Sequence, residues 1–222
     1  SKLDKILIIG GTGLFGLNFA LRQCKNYKIY LVQNKKRIKL SKKLKNIYLL
    51  KKDLNKRKNI KKILNEINPN YVIHAAAITN LEYCQKYKKT AKKVNYTLTK
   101  NITDECKLKK YKLIYLSSDQ LFEGKNSYYS ESSKTFPLNF YSKLKIASEN
   151  YIIKNLKDFL IIRTNFFGWG SFFRSSFSDN IIFNLKKKKE IHILKDVYFN
   201  PISLNYLTKA ISKLISNKKN GI

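Results

Sequence analysis

A phenol and an ammonium four residues apart on a helix lie on one face, and the positive charge can keep the phenol acidic enough to hand a proton to a carbonyl oxygen near neutral pH. The pattern Tyr-x-x-x-Lys occurs at Tyr48/Lys52, Tyr96/Lys100 and Tyr141/Lys145. With 15 tyrosines and abundant lysine, random placement gives roughly 2.8 such pairs before helix geometry is considered, so spacing alone selects none of them. Context does. Tyr48 lies in an apolar run that reads as a strand, where residues four apart are distant, and Tyr96 precedes the strand expected to carry a catalytic serine. Tyr141 opens a helical segment after a strand that ends in Leu116-Ser117-Ser118-Asp119. Serine, tyrosine and lysine can therefore meet at the carboxyl edge of a parallel sheet, where open α/β sheets bind ligands. Ser118 would hydrogen-bond a carbonyl oxygen, Tyr141 would donate a proton to it, and Lys145 would keep the phenol acidic while holding the ribose of a nicotinamide cofactor.

Such a cofactor needs a place for its diphosphate. Gly10, Gly11, Gly13 and Gly16 put four of the chain's eight glycines within seven residues, in Ile9-Gly10-Gly11-Thr12-Gly13-Leu14-Phe15-Gly16. A strand runs in and a helix runs out, so the loop can turn tightly, bring backbone N–H groups to a diphosphate and aim a helix N-terminus at its charge. Gly10, Thr12, Gly13, Leu14, Phe15 and Gly16 are the expected contacts. The second strand ends in Gln33-Asn34-Lys35-Lys36-Arg37. An acidic residue there would hold the ribose hydroxyls of NAD and exclude a 2′-phosphate. A neutral or basic edge favours NADP(H), through Asn34, Lys36 and Arg37, with NAD(H) still possible.

The elements that must position these groups are legible as alternation. Short runs rich in Ile, Val, Leu and Tyr at Lys5 to Ile9, Lys28 to Val32, Ile47 to Leu50, Tyr71 to Ala75, Leu113 to Ser117 and Phe159 to Thr164 read as buried parallel strands. Helical spacing fills Leu14 to Cys24, Lys56 to Ile67, Ala91 to Cys106 and Tyr141 to Asn155. Strand alternating with helix predicts an α/β fold, a doubly wound parallel sheet of the Rossmann type. Residues 1–164 would form this dinucleotide-binding domain. Residues 165–222, with aromatics, Gly and Ser at Phe166 to Phe177 and a helix such as Leu204 to Ser216, would form a small, cut-short substrate lobe interleaved with the core.

Composition excludes other classes. A chain of 222 residues buries one core without disulfides or metal. Its three cysteines form no CxxC and its two histidines lie far apart, which predicts reduced thiols and no metal site. No apolar run reaches the ~18 residues of a membrane span, so a cytoplasmic protein without membrane contact is expected. The net charge of +32 invites a nucleic-acid reading. Five Arg against 41 Lys, spread along the whole chain, argue against it, because phosphate and base recognition favours the guanidinium fork.

On these residues the chain resembles the extended short-chain dehydrogenase/reductases, and among them the dTDP-4-dehydrorhamnose reductases and their sugar-nucleotide-binding relatives. The likeness is sharpest in Ser117-Ser118-Asp119-Gln120-Leu121-Phe122-Glu123-Gly124, Tyr129-Ser130-Glu131, Pro137-Leu138-Asn139 and Tyr141-Ser142-Lys143-Leu144-Lys145, and continues in Arg163-Thr164-Asn165, Gly168 and the Asp196 to Ser203 segment with Pro201. The resemblance implies reduction of the carbon-4 ketone of a nucleotide-linked 6-deoxysugar, as in dTDP-rhamnose biosynthesis. It also implies cofactor contacts at Asp53 and Leu54 and at the small-residue turn Ala75, Ala76 and Ala77, and substrate contacts at Asp119, Gln120, Asn165 and Pro201. A homodimer is possible.

Two departures bear on the substrate. Gln120 replaces the family's usual tyrosine, which leaves the sugar open. The chain also stops at Asn220-Gly221-Ile222, where the family continues with another strand, and it contains no Met, so a fragment is entertained. A sugar-nucleotide dehydratase is disfavoured because it pairs an aspartate with a glutamate, and the amide of Gln120 cannot remove a proton. An epimerase shares the serine, tyrosine and lysine and stays open. So does a non-catalytic NADP-binding regulatory subunit, which the family also contains. His74, after the fourth strand, reads as structural ahead of a contact with the cofactor turn, and Trp169, Phe172 and Phe173 as base-stacking or lobe-filling. The Lys186 to Lys189 run reads as the end of a solvated helix.

Overall fold

The chain was described as a computed structural model, covering residues 3–33, 38–41, 43–125, 128–170, 175–192 and 199–222. Its centre is a sheet of six parallel strands in the order β3-β2-β1-β4-β5-β6: β1 Lys5–Ile9, β2 Lys28–Gln33, β3 Ile47–Lys51, β4 Tyr71–His74, β5 Lys112–Leu116 and β6 Phe159–Ile162. The order runs outward from β1 in both directions. The reversal between β1 and β4 therefore opens a crevice at the carboxyl ends of these strands.

The inner strands are apolar on both sides, with helices covering both faces, and the period-two alternation of side chains sorts them. On one face Ile6, Ile8, Ile29, Leu31, Ile73 and Ile114 pack with Phe15, Phe19 and Ala20 of α1 (Leu14–Gln23) and with Leu204, Leu207, Ile211 and Ile215 of the C-terminal helix Leu204–Ser216. On the other, Leu7, Ile9, Val72, Leu113 and Tyr115 meet Ile60, Ile63 and Leu64 of α2 (Arg57–Ile67), Ile102 and Cys106 from the 98–109 helix, and Ile152 from the 140–155 helix. Burying each such Ile or Leu is worth about 1.5–3 kcal/mol, so the sandwich is the main source of stability.

The structure corrects the sequence reading at one long element. Helical spacing over Ala91 to Cys106 predicts a single helix, but the chain forms α3 (Leu81–Lys86), α4 (Lys88–Lys92), a π-helical turn at Lys93–Thr97 and α5 (Leu98–Lys109). The wide turn swings Asn95, 1% exposed, over the segment that follows β4. Its side chain accepts from the Ile78 N–H and donates to the Ile78 carbonyl, both at 2.8 Å.

Downstream, α6 (Phe140–Asn155) precedes β6, and a two-stranded parallel pair, β7 (Phe166–Phe167) and β8 (Ile202–Ser203), brackets α7 (Phe177–Lys186). The last helix, α8 (Leu204–Ser216), returns to lie against α1. Among the described residues no helix is long and apolar enough to cross a membrane.

Candidate active site

The loop between β1 and α1 is shaped by its glycines. Gly10 has φ +88°, and a Cβ there would stand 2.7 Å from the Ala76 nitrogen. Any side chain would thus be strained and would push away the turn after β4. Gly16 lets the first turn of α1 settle onto this loop, since a Cβ would meet the Gly10 carbonyl oxygen at 2.7 Å. Gly13 starts α1 without a side-chain cap, so the first-turn N–H groups point to the cleft with no acceptor of their own side chain, as an anion requires. This cradle fits a diphosphate.

Across the crevice, α6 is started by Asn139, whose Oδ1 accepts from the Ser142 N–H at 2.8 Å. One residue into the helix, Tyr141 is 6% exposed, and Lys145, one turn on, is 2% exposed. The Ser142 hydroxyl donates to the Gln120 carbonyl at 2.6 Å, clipping the loop after β5 to the helix. The Ser118 hydroxyl donates to the Asp119 carboxylate at 3.3 Å and accepts from the Gln120 N–H at 3.2 Å, and it lines the same cleft as the Tyr141 phenol. The Asn165 amide, leaving β6, donates to the Asp119 carboxylate at 3.1 Å. Below them Arg163 grips Glu149 of α6 at 2.8 Å, donates to the Glu131 carbonyl at 2.9 Å and stacks on Phe122. The ring of Phe122 itself stacks on Tyr129.

The cleft between these walls measures about 310 Å3 and is lined by Gly10, Gly13, Leu14, Phe15, Gly16, Ala75, Ala77, Ser118, Asp119, Gln120, Tyr141, Lys145 and Asn165, all anticipated from sequence. Thr12, Leu54, Ala76 and Pro201 do not line it, though Ala76 backs the Gly10 turn. Asp53 is exposed, and its carboxylate accepts from the Asn55 backbone and side chain at 3.0 and 2.8 Å, closing a turn after β3. Asn34, Lys36, Arg37, Phe172, Phe173 and Asp196 lie outside the described residues.

Thr79, Ser175, Ser176 and Phe177 also line the cleft and were not singled out from sequence. Ser176 had a readable signal: it sits three residues before Asp179 in a reciprocal capping box that starts α7, a spacing that marks a helix N-terminus. A second hollow of about 420 Å3, lined by Asp4, Tyr27, Tyr71 and Ser212, opens at the other end of the strands. It gathers no comparable set of reactive groups.

The electrostatics differ from expectation in one respect. Burial pushes the Tyr141 phenol up to about 12, the bond with Ser118 offsets this only in part, and the Asp119 charge adds to the rise. The Lys145 ammonium donates to the Leu116 carbonyl at 2.5 Å. Burial brings Lys145 itself down to about 7, with Glu149 opposing.

Burial, and then the Lys145 charge, bring His74 down to about 3. It is therefore neutral at ordinary pH, with Nε2 against the Thr99 hydroxyl at 2.9 Å and Nδ1 unpartnered. A folded-state value below the unfolded one means that the unfolded chain takes up a proton first as pH falls, so stability declines between about 6.5 and about 3. His74→Asn should remove that component. The stability gap between wild type and variant should shrink by about 1.4 kcal/mol per pH unit below 6.5 in denaturant titrations. A gap independent of pH would show that His74 is not held neutral.

Comparison with known proteins places this arrangement in context. Residues 4–221 match the family model described as the RmlD substrate binding domain. The spore coat polysaccharide biosynthesis protein SpsK of Bacillus subtilis is 26% identical over 219 residues, covering 97% of this chain and 71% of that protein. A solved structure of a hypothetical dTDP-4-dehydrorhamnose reductase from Sulfolobus tokodaii superposes with a TM-score of 0.84 at 27% identity, covering 98% of this chain and 74% of the other. The dTDP-4-dehydrorhamnose reductase of Bacillus anthracis, solved with NADP, gives 0.82 at 24% identity, covering 99% and 73%.

Proposed function

Because the chain belongs to the RmlD substrate binding domain family, we propose that it is an NADPH-dependent reductase of a nucleotide-diphosphate 4-keto-6-deoxysugar, in the manner of a dTDP-4-dehydrorhamnose reductase. The observation that carries the reading is the meeting of Ser118, Tyr141 and Lys145 in one cleft with the glycine turn. Gly10, Gly13, Leu14, Phe15 and Gly16 would hold the diphosphate, with Ala75 and Ala77 beneath the dinucleotide. When bound, NADPH supplies the hydride. The Ser118 hydroxyl orients the ketone oxygen, and Tyr141 gives it the proton. With its phenol pushed up to about 12 by burial, Tyr141 is protonated at neutral pH. Asp119, fixed by Asn165, and Gln120 would face the sugar. Lys36 and Arg37, with Asn34, would select NADP(H).

Two observations weigh against neighbouring readings. The base that elimination requires is absent, since Gln120 follows Asp119, which disfavours a dehydratase. The convergent reactive trio disfavours a purely regulatory, non-catalytic subunit.

A panel of nucleotide-linked keto sugars, followed by loss of NADPH absorbance, tests the proposal. Consumption is expected with a 4-keto-6-deoxysugar, faster with NADPH than with NADH. Binding of NADPH without turnover of any keto sugar would replace the reductase by the regulatory reading, and equal rates with both cofactors would remove the role given to Lys36 and Arg37.

A further inference from the structure

Lys145 is a buried cation without an acidic partner of its own. The carboxylate one turn along α6, Glu149, is gripped by Arg163 at 2.8 Å, and the Lys145 ammonium makes no ion pair among the described residues. What it has is the Leu116 carbonyl at 2.5 Å and the face of the Tyr115 ring, whose centroid lies 4.1 Å from Nζ. Both come from the last two residues of β5. A desolvated ammonium over an aromatic face is attracted by the ring's quadrupole, and such contacts gain strength when water is excluded.

The ring is not free to leave. Tyr115 is 1% exposed, and its ring lies 5.4 Å from that of His74 on β4. Ser148 of α6 donates to the Asn95 carbonyl at 2.8 Å and Lys145 to the Leu116 carbonyl, so the π-helical turn, α6 and β5 are tied together around the lysine. The titratable groups around the ammonium are thus Tyr115 from β5, His74 from β4, and Tyr141 and Glu149 from α6. His74 is neutral and adds no competing positive charge.

We propose that Tyr115 is a positioning residue for Lys145, its ring face taking the place of a carboxylate and holding the lysine's charge at the foot of the cleft. The inference rests on the placement of Lys145 in the reductase site proposed above. Without the ring, burial acts on the ammonium unopposed by this contact, and the lysine loses its proton at lower pH.

The test needs neither cofactor nor sugar. In the full chain labelled with 13C at lysine Cε, one resonance should titrate near pH 7, where burial places Lys145, apart from ordinary lysines near about 10.4. Its absence in Lys145→Arg assigns it. Tyr115→Leu should move the midpoint down by about one pH unit, the size of a desolvated cation–ring contact, whereas Tyr115→Phe should hold it within about half a unit. Incorporating phenylalanines of increasing fluorination at position 115 keeps the shape while draining the ring face, and should lower the midpoint stepwise even if the leucine variant does not fold. A midpoint indifferent to fluorination would overturn the proposal, as would an equal shift in the Phe and Leu variants, which would transfer the effect to the hydroxyl. Wild-type turnover of keto sugars is measured separately, so a failure of the reductase reading leaves this titration interpretable.

Discussion

Phenylalanine at position 141 should reduce kcat for the keto sugar by about a thousandfold, within the ~10²–10⁴ range of a positioned proton donor, while NADPH dissociation changes less than about twofold. The two expectations separate because the phenol oxygen sits beside Ser118, whereas the diphosphate cradle is on the far side of the crevice, in the β1–α1 loop. The ring itself packs with Cys84, Ala91 and Leu144, and Phe keeps all of that surface. Thermal stability should therefore fall little, by about 1 kcal/mol or less for one partnered hydroxyl. Single-turnover absorbance with saturating NADPH isolates the step. Turnover within about tenfold of wild type would remove Tyr141 from the proton path, because general acid catalysis is worth more than that.

Tyr141 was recoverable from sequence only through its surroundings, and the two rival pairs show why. Tyr48 ends up 42% exposed on β3, stacked on Tyr30 at 4.8 Å, so the residue four places on is a strand's length away and shares no site with it. Tyr96 lies in the π-helical turn and packs edge-on to Tyr151, and Lys100 is spent on Asp104 at 3.0 Å. The sheet was legible because strands buried on both faces are written as unbroken apolar runs, and helices with one buried stripe as spaced ones. The extra residue of a π-helical turn leaves no such trace: it rotates the stripe without erasing it, and the pattern over Ala91 to Cys106 reads as uninterrupted. Nor does sequence report which way a long side chain turns. The spacing on the helix puts Lys145 on the face of Tyr141, but only the structure shows that its ammonium also reaches the Leu116 carbonyl and the ring of Tyr115.

The blocks around Phe122, Tyr129 to Glu131 and Arg163 were recognisable as motifs before their purpose was, and the purpose suggests the largest stability effect in the molecule. Glu149 is 2% and Arg163 13% exposed in their side chains, and the guanidinium joins three separate segments: α6 through Glu149, the loop at Glu131 through its carbonyl, and Phe122 through its ring. Glu149→Ala leaves that guanidinium buried without its counter-charge, and breaking a buried pair from one side costs about 3–5 kcal/mol. For a chain of this length the melting temperature should drop by roughly 10 °C, at about 2–4 °C per kcal/mol. Removing both charges, as Glu149→Leu with Arg163→Met, should recover much of the loss, since the penalty lies in the stranded charge and not in the missing bond. Calorimetry on the single and double variants distinguishes the cases. A double variant as unstable as Glu149→Ala would mean that Arg163 matters through its contacts with Glu131 and Phe122 instead. In either outcome the loop bearing Ser118 depends in part on a residue that does not line the cleft, because Arg163 holds it at Phe122 and at Glu131, in addition to Ser142 on the Gln120 carbonyl and Asn165 on Asp119.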